Sequence, residues 1–448
     1  MIQRLMQMFR LQKGEGGLVF VLGFALLANA LAMQISGIVA LSGFLNSGGV
    51  NGFLVVLLVD YGFILFTGAL QTLVIDKFER KTLIQWVAII FALFFVILRL
   101  MFVFQAPEWL NYSIMYILSE QQFILFPLVF WVLANDIFRI SQAKRLFPLI
   151  SGFNFAGKLI GIGISLITPT LFPKFGIQPE EILTINILVY MLAFIVLWSG
   201  LNNVKVRKTV VQTETLSETL REGWKFMLDV PAFKYILYAI IALAVADTLI
   251  EFQFVVVTDS VFTTQNTYQT FFSAYRLILT ILALLIQTFV TGLLLKKMQI
   301  KDTFLVFPFV ALIGAMGMIF IPGAVMAVGA MASVKLIRDT LNESGRKSFQ
   351  GLIPEERRGR VSTLMESYLP SIGTILACVL GILIILLAQL TGFNAVAVYM
   401  GIASIGGLVA LWAILKMRTV YDASLLNWRL KRRQRRTQTV LFDKLTDD

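Results

Sequence analysis

The sequence predicts an all-α polytopic membrane protein with twelve transmembrane helices. Of its 448 residues, 58% are hydrophobic and only 14% are charged, and the apolar residues form long runs separated by basic connections. A soluble core cannot hide that much apolar surface, whereas a helix of about 20 apolar residues crosses a bilayer core of about 30 Å. The lipid bilayer is therefore the first partner that the sequence predicts.

Twelve runs have the length and composition of spanning helices. The predicted spans are 17–44, 52–75, 82–104, 111–138, 147–170, 181–200, 235–257, 271–295, 303–321, 323–349, 362–390 and 393–416. The first span is too long for the apolar part of a signal peptide, so we expect it to be retained as a helix.

Basic residues in the connections give the direction of each span. If the N-terminus is cytoplasmic, the inward-facing connections contain basic clusters, at 77–81, 139–145, 205–234, 296–301 and 346–360. Both tails are basic as well, and the outward connections contain one basic residue, Lys174. The positive-inside rule then predicts that both termini are cytoplasmic. This topology and anionic lipid headgroups explain the net charge of +12, so we expect no nucleic acid partner.

The residues that most catalytic and metal sites require are scarce. The chain contains one cysteine, Cys378, and no histidine, which argues against disulfide frameworks, zinc sites and histidine-based catalysis. The sequence shows no nucleophile with a base, no metal-ligand spacing and no phosphate-binding glycine loop. We therefore expect no enzyme activity, no metal and no cofactor.

The longest inward connection divides the chain in the middle. We predict an N-terminal six-helix bundle at 1–200, a cytoplasmic linker at 201–234, a C-terminal six-helix bundle at 235–416 and a basic cytoplasmic tail at 417–448. Within the linker, Leu216, Leu220, Trp224 and Met227 have the spacing of an amphipathic helix. Such a helix would lie on the membrane surface or brace the two bundles.

The two halves resemble each other when they are offset by about 218 residues. Ala28-Asn-Ala-Leu31 in the first span then aligns with Ala246-Asp-Thr-Leu249 in the seventh, and the basic loops align as well. Two parallel six-helix repeats are typical of major facilitator transporters, and this is the fold we predict. Asp76-Lys-Phe-Glu-Arg-Lys81 resembles the loop motif of that superfamily. The resemblance makes Asp76 and Arg80 a candidate conformational latch; an ordinary positive-inside loop is the alternative.

Charged residues inside the spans are functional candidates, because a charge at mid-bilayer is costly unless it faces a cavity or a partner. In a major facilitator arrangement, spans 1, 4, 7 and 10 line the central cavity. These spans contain most of the deep polar and charged side chains, namely Asn29, Gln34, Glu120, Asp247, Glu251, Lys335, Arg338 and Asp339. We predict that the substrate-binding residues are among them.

Individual positions refine this prediction. Asp247 and Glu251 are one helical turn apart and share a face, which suits binding of a proton or a cation. We expect Lys335 to contact an anionic substrate. Asp339 is one helical turn from Lys335, and for this acid we favour an internal ion pair with Lys335 over contact with a ligand.

Lys158 is a second deep cation, and its neighbours Gly157 and Gly161 would let another helix approach closely. Three other charged residues are expected nearer the ends of their spans: Arg99, Asp60 and Arg276. At such positions, snorkelling or a rim salt bridge explains a charge.

Five segments of the chain carry a family resemblance. They are Phe130-Trp-Val-Leu-Ala-Asn-Asp-Ile137, Ala143-Lys-Arg-Leu-Phe-Pro-Leu149, Leu249-Ile-Glu-Phe252, Tyr268-Gln-Thr-Phe271 and the basic segment 346–360. These segments resemble the nucleotide (ATP/ADP) transporter family of plastids and obligate intracellular bacteria. The resemblance implies that Glu251 and Glu120 are functional acids and that Lys335 is close to a basic position of the tenth helix. Basic positions of the family are replaced at 31–36, at 255–256 and at 371–373.

Together, these observations predict an alternating-access transporter of a small organic anion in a bacterial plasma membrane. A nucleotide is the leading specific substrate, bound by Lys335 and Lys158. Glu120, Asp247 and Glu251 would set coupling or orient polar groups, with Gln34 and Asn29 as further contacts. Proton-coupled efflux of hydrophobic or cationic compounds and a non-transporting membrane binding or sensory module are the alternatives.

Overall fold

The computed structural model describes the backbone of residues 12, 15–74, 78–202, 204, 206, 216–350, 353 and 355–446. Side chains are described in these ranges except at 69–74, 140, 144, 216–220, 295, 296, 300, 355–358 and 424–446. The candidate latch residue Asp76 lies outside the described residues.

In the described ranges, twelve helical stretches correspond to the twelve predicted spans. Nine of them are α1 (Glu15–Gly48), α2 (Phe53–Val74), α3 (Arg80–Val103), α4 (Glu108–Ile137), α5 (Ile140–Leu171), α6 (Leu183–Leu201), α7 (Pro231–Val261), α9 (Val306–Phe320) and α12 (Ala395–Thr446). The other three contain a π-helical turn: α8 (Gln265–Leu285, Ile286–Thr291 and Gly292–Lys297), α10 (Ala324–Ile337, Arg338–Asn342 and Glu343–Gln350) and α11 (Glu355–Thr363, Leu364–Tyr368 and Leu369–Thr391).

Shorter helices occupy several connections. The amphipathic helix expected in the linker is present at Leu216–Asp229, and we call it the linker helix. Further short helical turns lie at Val50–Gly52, Phe172–Phe175, Pro179–Ile182 and Ile300–Thr303.

Eleven helices in the described part of the chain are long and apolar enough to cross a membrane. The predicted span that does not meet this criterion is α10, because its first 18 residues contain Lys335, Arg338 and Asp339. Large apolar side chains on the helices are more than half exposed, among them Phe66, Trp86, Trp198 and Phe289. A soluble protein rarely exposes so much apolar surface, so these helices face lipid.

Local sequence explains where several helices begin and end. Pro107 directly precedes α4 and Pro231 is the first residue of α7, positions where proline's missing N–H costs no helical hydrogen bond. Gly392 ends α11 with φ of 77°, and its N–H donates to the Ala388 carbonyl at 2.8 Å. The last helix continues past the predicted end at 416 to Thr446, because residues 417–446 contain no glycine or proline.

Contacts along the chain divide it into two compact units. The first unit comprises Met1–Thr213 with Thr258–Ile281, and the second comprises Glu214–Val257 with Leu282–Asp448. In the first unit, α1 is the central helix and packs against α4, α5 and α6, while α3 packs against α4 and α6. In the second unit, α9 packs against α10 and α12.

The linker helix belongs to the second unit. Glu222 forms an ion pair with Arg360 at the start of α11. A Cβ at Gly223 would be 2.7 Å from Leu364 Cδ1, so the glycine permits this close packing. The linker helix is therefore docked on α11 through both a charged and a steric contact.

Candidate functional site

A cluster of paired charges joins α7 and α10 in the second unit. The Lys335 ammonium lies 3.5 Å from Oε1 of Glu251, and each side chain is 28% exposed. One helical turn away, Arg338 forms an ion pair with Asp247, and its Nε lies 2.9 Å from Asp339 Oδ1. These five residues are called the α7–α10 charge cluster below. They give one deep region of the protein two cations and three acids.

The pairing within this cluster differs from the simplest expectation. Asp247 and Glu251 do share a helix face, but each faces a different cation of α10. Asp339, which was considered as the partner of Lys335, pairs with Arg338 instead. The reason is the π-helical turn Arg338–Asn342, which widens the helix at Arg338 and shifts Asp339 out of the i, i+4 register with Lys335.

The two ion pairs of the cluster differ in burial and in the kind of cation. The Asp247 side chain is 14% exposed, and its Oδ2 meets Nη1 of the Arg338 guanidinium. The Lys335–Glu251 contact is longer and more exposed. Of the two cations, Lys335 thus has the longer contact with its acid, and that acid is more exposed than Asp247.

In the first unit, an arginine from α8 reaches α1. Arg276 donates a hydrogen bond from Nη1 to Oε1 of Gln34 at 3.3 Å. A Cβ at Gly37 would lie 3.0 Å from Nη1 and 3.4 Å from Ser119 Oγ, so the glycine makes room for the guanidinium. Arg276 forms no ion pair with any carboxylate of the described residues. We call Arg276, Gln34, Gly37 and Ser119 the Arg276 group.

The position of Arg276 corrects the sequence-based expectation. It lies eleven residues after the start of α8, about 16 Å along the helix axis, instead of near an end. Arg276 was not among the substrate-binding residues predicted from the sequence, because snorkelling explains most arginines near span ends. Its distance from the start of the helix is the signal that could have indicated a functional role.

Lys158 lies where α5 crosses α1. A Cβ at Gly157 would collide with the Leu27 carbonyl, and a Cβ at Gly161 would lie 2.5 Å from the Leu31 carbonyl. The two glycines therefore bring the helix backbones into contact, as the sequence predicted. Lys158 is half-buried, and Glu120, which follows Ser119 on α4, is half-buried too.

Asn29 lies inside a buried hydrogen-bond network of α1, α4 and α6. Its side chain is 2% exposed; Nδ2 donates to the Gln122 carbonyl, and Oδ1 accepts from Tyr190 at 2.7 Å. Gln122 in turn donates to Tyr190 and accepts from Ser36, both at 2.7 Å. The polar atoms of Asn29 are thus engaged in helix packing, so the structure does not present Asn29 to a substrate as the sequence suggested.

The candidate latch has a partner that the sequence analysis missed. Arg80, at the start of α3, forms an ion pair with Asp136 near the end of α4. Asp136 belongs to the segment that resembles the nucleotide transporters, but its position relative to Arg80 depends on helix packing. Arg80 therefore ties α3 to α4, two helices of the first unit.

A cavity of about 440 Å³ lies at one end of the first unit. Its lining includes Glu108, Glu180, Gln265 and Gln269 and none of the residues predicted to bind substrate. Two carboxylates without a lining lysine or arginine make it a poor place for an anion. The candidate anion-binding residues are consequently those of the charge cluster and the Arg276 group, together with Lys158.

Comparison with known proteins decides the family. The family described as TLC ATP/ADP transporter matches residues 18–338, from α1 into α10. The chain belongs to this family. The match includes every residue of the α7–α10 charge cluster except Asp339, and every member of the Arg276 group.

Curated relatives of this TLC family chain include the ADP,ATP carrier protein 4 of Rickettsia conorii and that of Rickettsia felis. Each is 23% identical over 191 residues, which is 39% of this chain and 37% of the relative. The alignment thus spans little more than a third of the length of these carriers.

Solved structures show the fold. The match to an auto-inhibited POT family peptide transporter covers 90% of this chain and 96% of that transporter, with a TM-score of 0.63 at 12% identity. The match to a mutant of the nucleoside transporter NupG covers 89% of this chain and 99% of that transporter, with a TM-score of 0.61 at 14% identity. The match to a bacterial homologue of the iron transporter ferroportin covers 90% of this chain and 98% of that protein, with a TM-score of 0.58 at 15% identity. The predicted major facilitator fold is confirmed.

Proposed function

We propose that this chain is an alternating-access transporter that exchanges adenine nucleotides, ATP and ADP, across a bacterial plasma membrane. Its membership of the TLC ATP/ADP transporter family supports this class. The structural observation that carries the proposal is the exchangeable Lys335–Glu251 pair, because a nucleotide phosphate needs a cation that it can take from an internal partner. The basic connections support cytoplasmic termini.

In this proposal Lys335 is the principal phosphate contact. Without nucleotide, Glu251 neutralises Lys335, so the deep lysine is not left as an unpaired charge. A phosphate that binds Lys335 releases the Glu251 carboxylate, which can then accept a hydrogen bond from a ribose hydroxyl or an amino group. Asp247 holds Arg338 in place and contributes to coupling through the charge of the cluster.

The first unit contains candidate anion contacts of its own. Arg276 and Lys158 provide positive charge, and Gln34 orients the Arg276 guanidinium. Glu120 adjoins this set and takes part in coupling, while Asn29 keeps α1, α4 and α6 in register. These two cations compensate for the family lysines that are absent from other positions of the chain.

The test is uptake of radiolabelled ATP and ADP into proteoliposomes that contain the full chain, with and without unlabelled nucleotide inside. The Lys335→Ala variant is measured alongside Lys347→Ala, a lysine on the same helix that pairs with Glu343 at 2.5 Å but is 63% exposed. We expect saturable uptake that internal nucleotide accelerates, that Lys335→Ala abolishes and that Lys347→Ala leaves intact.

Two other outcomes would contradict the proposal. Folded protein that takes up neither nucleotide would exclude nucleotide exchange and favour a smaller anion. Transport of hydrophobic cations that depends on Asp247 and Glu251 but not on Lys335 would favour the efflux function instead.

A further inference from the structure

Asp60 of α2 is a carboxyl group without a hydrogen-bond partner inside the first unit. Its relative exposure is 0%, and neither Oδ1 nor Oδ2 accepts a hydrogen bond from the described part of the chain. The sequence predicts Asp60 near a span end, where it would snorkel or reach a rim salt bridge. The structure corrects this expectation, because a side chain buried among helices cannot snorkel to the membrane surface.

In the described residues, α1 and α4, which pack against α2, bring no cation to Asp60. The described side chains of α1 contain no charged group after Glu15, and the turn Val50–Gly52 contains none. On α4, which also packs against α2, the titratable groups are acids and tyrosines: Glu108, Tyr112, Tyr116, Glu120 and Asp136. The charged neighbour that acts on Asp60 is Glu120, another acid. Asp60 is therefore a buried carboxyl group whose charged neighbour is a second carboxyl group.

An unpaired donor lies at the same α2–α4 contact. Gln121, the neighbour of Glu120, is 3% exposed and accepts a hydrogen bond from Thr67 of α2 at 2.9 Å. Its Nε2 is buried and donates to no acceptor in the described residues. Buried polar groups in proteins are nearly always paired, and unpaired ones often mark sites that bind or exchange something. The contact between α2 and α4 thus contains both an unpaired acceptor, on Asp60, and an unpaired donor.

We infer that Asp60 and Glu120 form a proton-binding pair, and that proton movement through this pair is linked to movement of the anionic substrate. A single proton suits two neighbouring carboxylates, because it removes one charge and provides an O–H donor. A bound metal ion such as Ca²⁺ would need about six oxygen ligands or more. The described residues contain no group of three or more acidic or cysteine ligands that could hold one.

The linked step is a simple proton transfer. Water on one side of the membrane gives a proton to a carboxylate oxygen of the pair, and the carboxylic acid returns it to water on the other side. No other bond changes. Because a nucleotide is an anion, a proton that accompanies it offsets one negative charge. The inference rests on the proposed function and goes beyond it, since exchange alone needs no proton.

The test uses full-length protein in proteoliposomes and compares two modes of nucleotide uptake. One mode is exchange against internal nucleotide at equal pH, and the other is uptake driven by an inward proton gradient. If one proton moves per nucleotide, a gradient of one pH unit raises accumulation up to about tenfold. We expect Asp60→Asn to lower the ratio of driven uptake to exchange by about that factor. Asp229→Asn, an exposed acid on the linker helix, should keep the wild-type ratio.

The outcomes separate this inference from the proposed function. Wild-type exchange that does not respond to a proton gradient overturns the inference and leaves nucleotide exchange standing. If neither mode is detected, the proposed function fails, and labelling with dicyclohexylcarbodiimide decides the inference, because this reagent modifies protonated carboxyls in apolar surroundings. Mass spectrometry should find label at Asp60 or Glu120 in acidic buffer and less in alkaline buffer. Absence of label at both residues, or protection by Na⁺, overturns it.

Discussion

The Lys335 ammonium and the Glu251 carboxylate face each other at 3.5 Å, each a little over a quarter exposed. Arg338 and Asp247 form a second ion pair one turn away, in which the acid is more buried. The longer and more exposed pair contains the lysine that we propose for phosphate binding. Both pairs connect α7 to α10, and we propose that the Lys335–Glu251 pair is the one that changes partners.

The first prediction concerns competition for Lys335. We expect Glu251→Gln to lower the half-saturating ATP concentration by about three- to tenfold, because the nucleotide no longer displaces a carboxylate. The maximal exchange rate should fall in the same variant, since release becomes slower. Uptake kinetics measure both quantities, with Glu343→Gln, which faces Lys347, as the matched control. A raised half-saturating concentration would show that the contact of Glu251 with the nucleotide outweighs its competition for Lys335.

The second prediction concerns the Arg276 group. Arg276→Gln should weaken ATP binding during uptake by about ten- to a hundredfold, because a charged hydrogen bond to phosphate contributes about 1.5–3 kcal/mol. Gly37→Ala should act in the same direction, since its Cβ would lie 3.0 Å from Nη1 and displace the guanidinium. Gly62→Ala, which meets nothing within 4 Å, is the control for a glycine substitution in the same unit. Unchanged uptake in both test variants would contradict a role for Arg276.

The third prediction concerns the Arg338–Asp247 pair as a stabilising contact. Arg338→Gln removes the cation from a largely buried carboxylate and should destabilise the protein by roughly 1–3 kcal/mol. Adding Asp247→Asn should recover part of that loss, because the double variant no longer contains a buried carboxylate without its cation. The thermal midpoint of unfolding of purified protein in detergent measures both effects. Additive losses in the double variant would show that the two residues are not coupled.

The fourth prediction concerns the contact between α1 and α5. Gly157→Ala and Gly161→Ala place a methyl group against the Leu27 and Leu31 carbonyls and should cost about 1–3 kcal/mol each. Gly163→Ala, on the same helix with nothing within 4 Å, should leave the unfolding midpoint unchanged. Equal unfolding midpoints for all three variants would contradict this prediction. They would show that α5 can move away from α1 without loss of stability.

The sequence predicted the helices well because the signals for them are local. Hydropathy along the chain gave the twelve spans, and the missing glycine and proline after 416 explain why α12 is longer than its membrane segment. The spacing of Leu216, Leu220 and Trp224 predicted the linker helix. The motifs at 130–149 and in the seventh span indicated the nucleotide transporter family, which the family match confirms. The cytoplasmic termini and the six-plus-six division of domains stay predictions.

The sequence by itself determined which segments are helical, that they enter a membrane and which deep side chains are candidates for function. Only the tertiary structure decided the partners of those side chains, because partners depend on which helices pack together and how each is rotated. Arg80 meets Asp136, and a π-helical turn separates Asp339 from Lys335. The same packing encloses Asp60 without a described hydrogen-bond partner. Hydropathy is a sum over neighbours in sequence, whereas a pair of charges forms between residues that are distant along the chain.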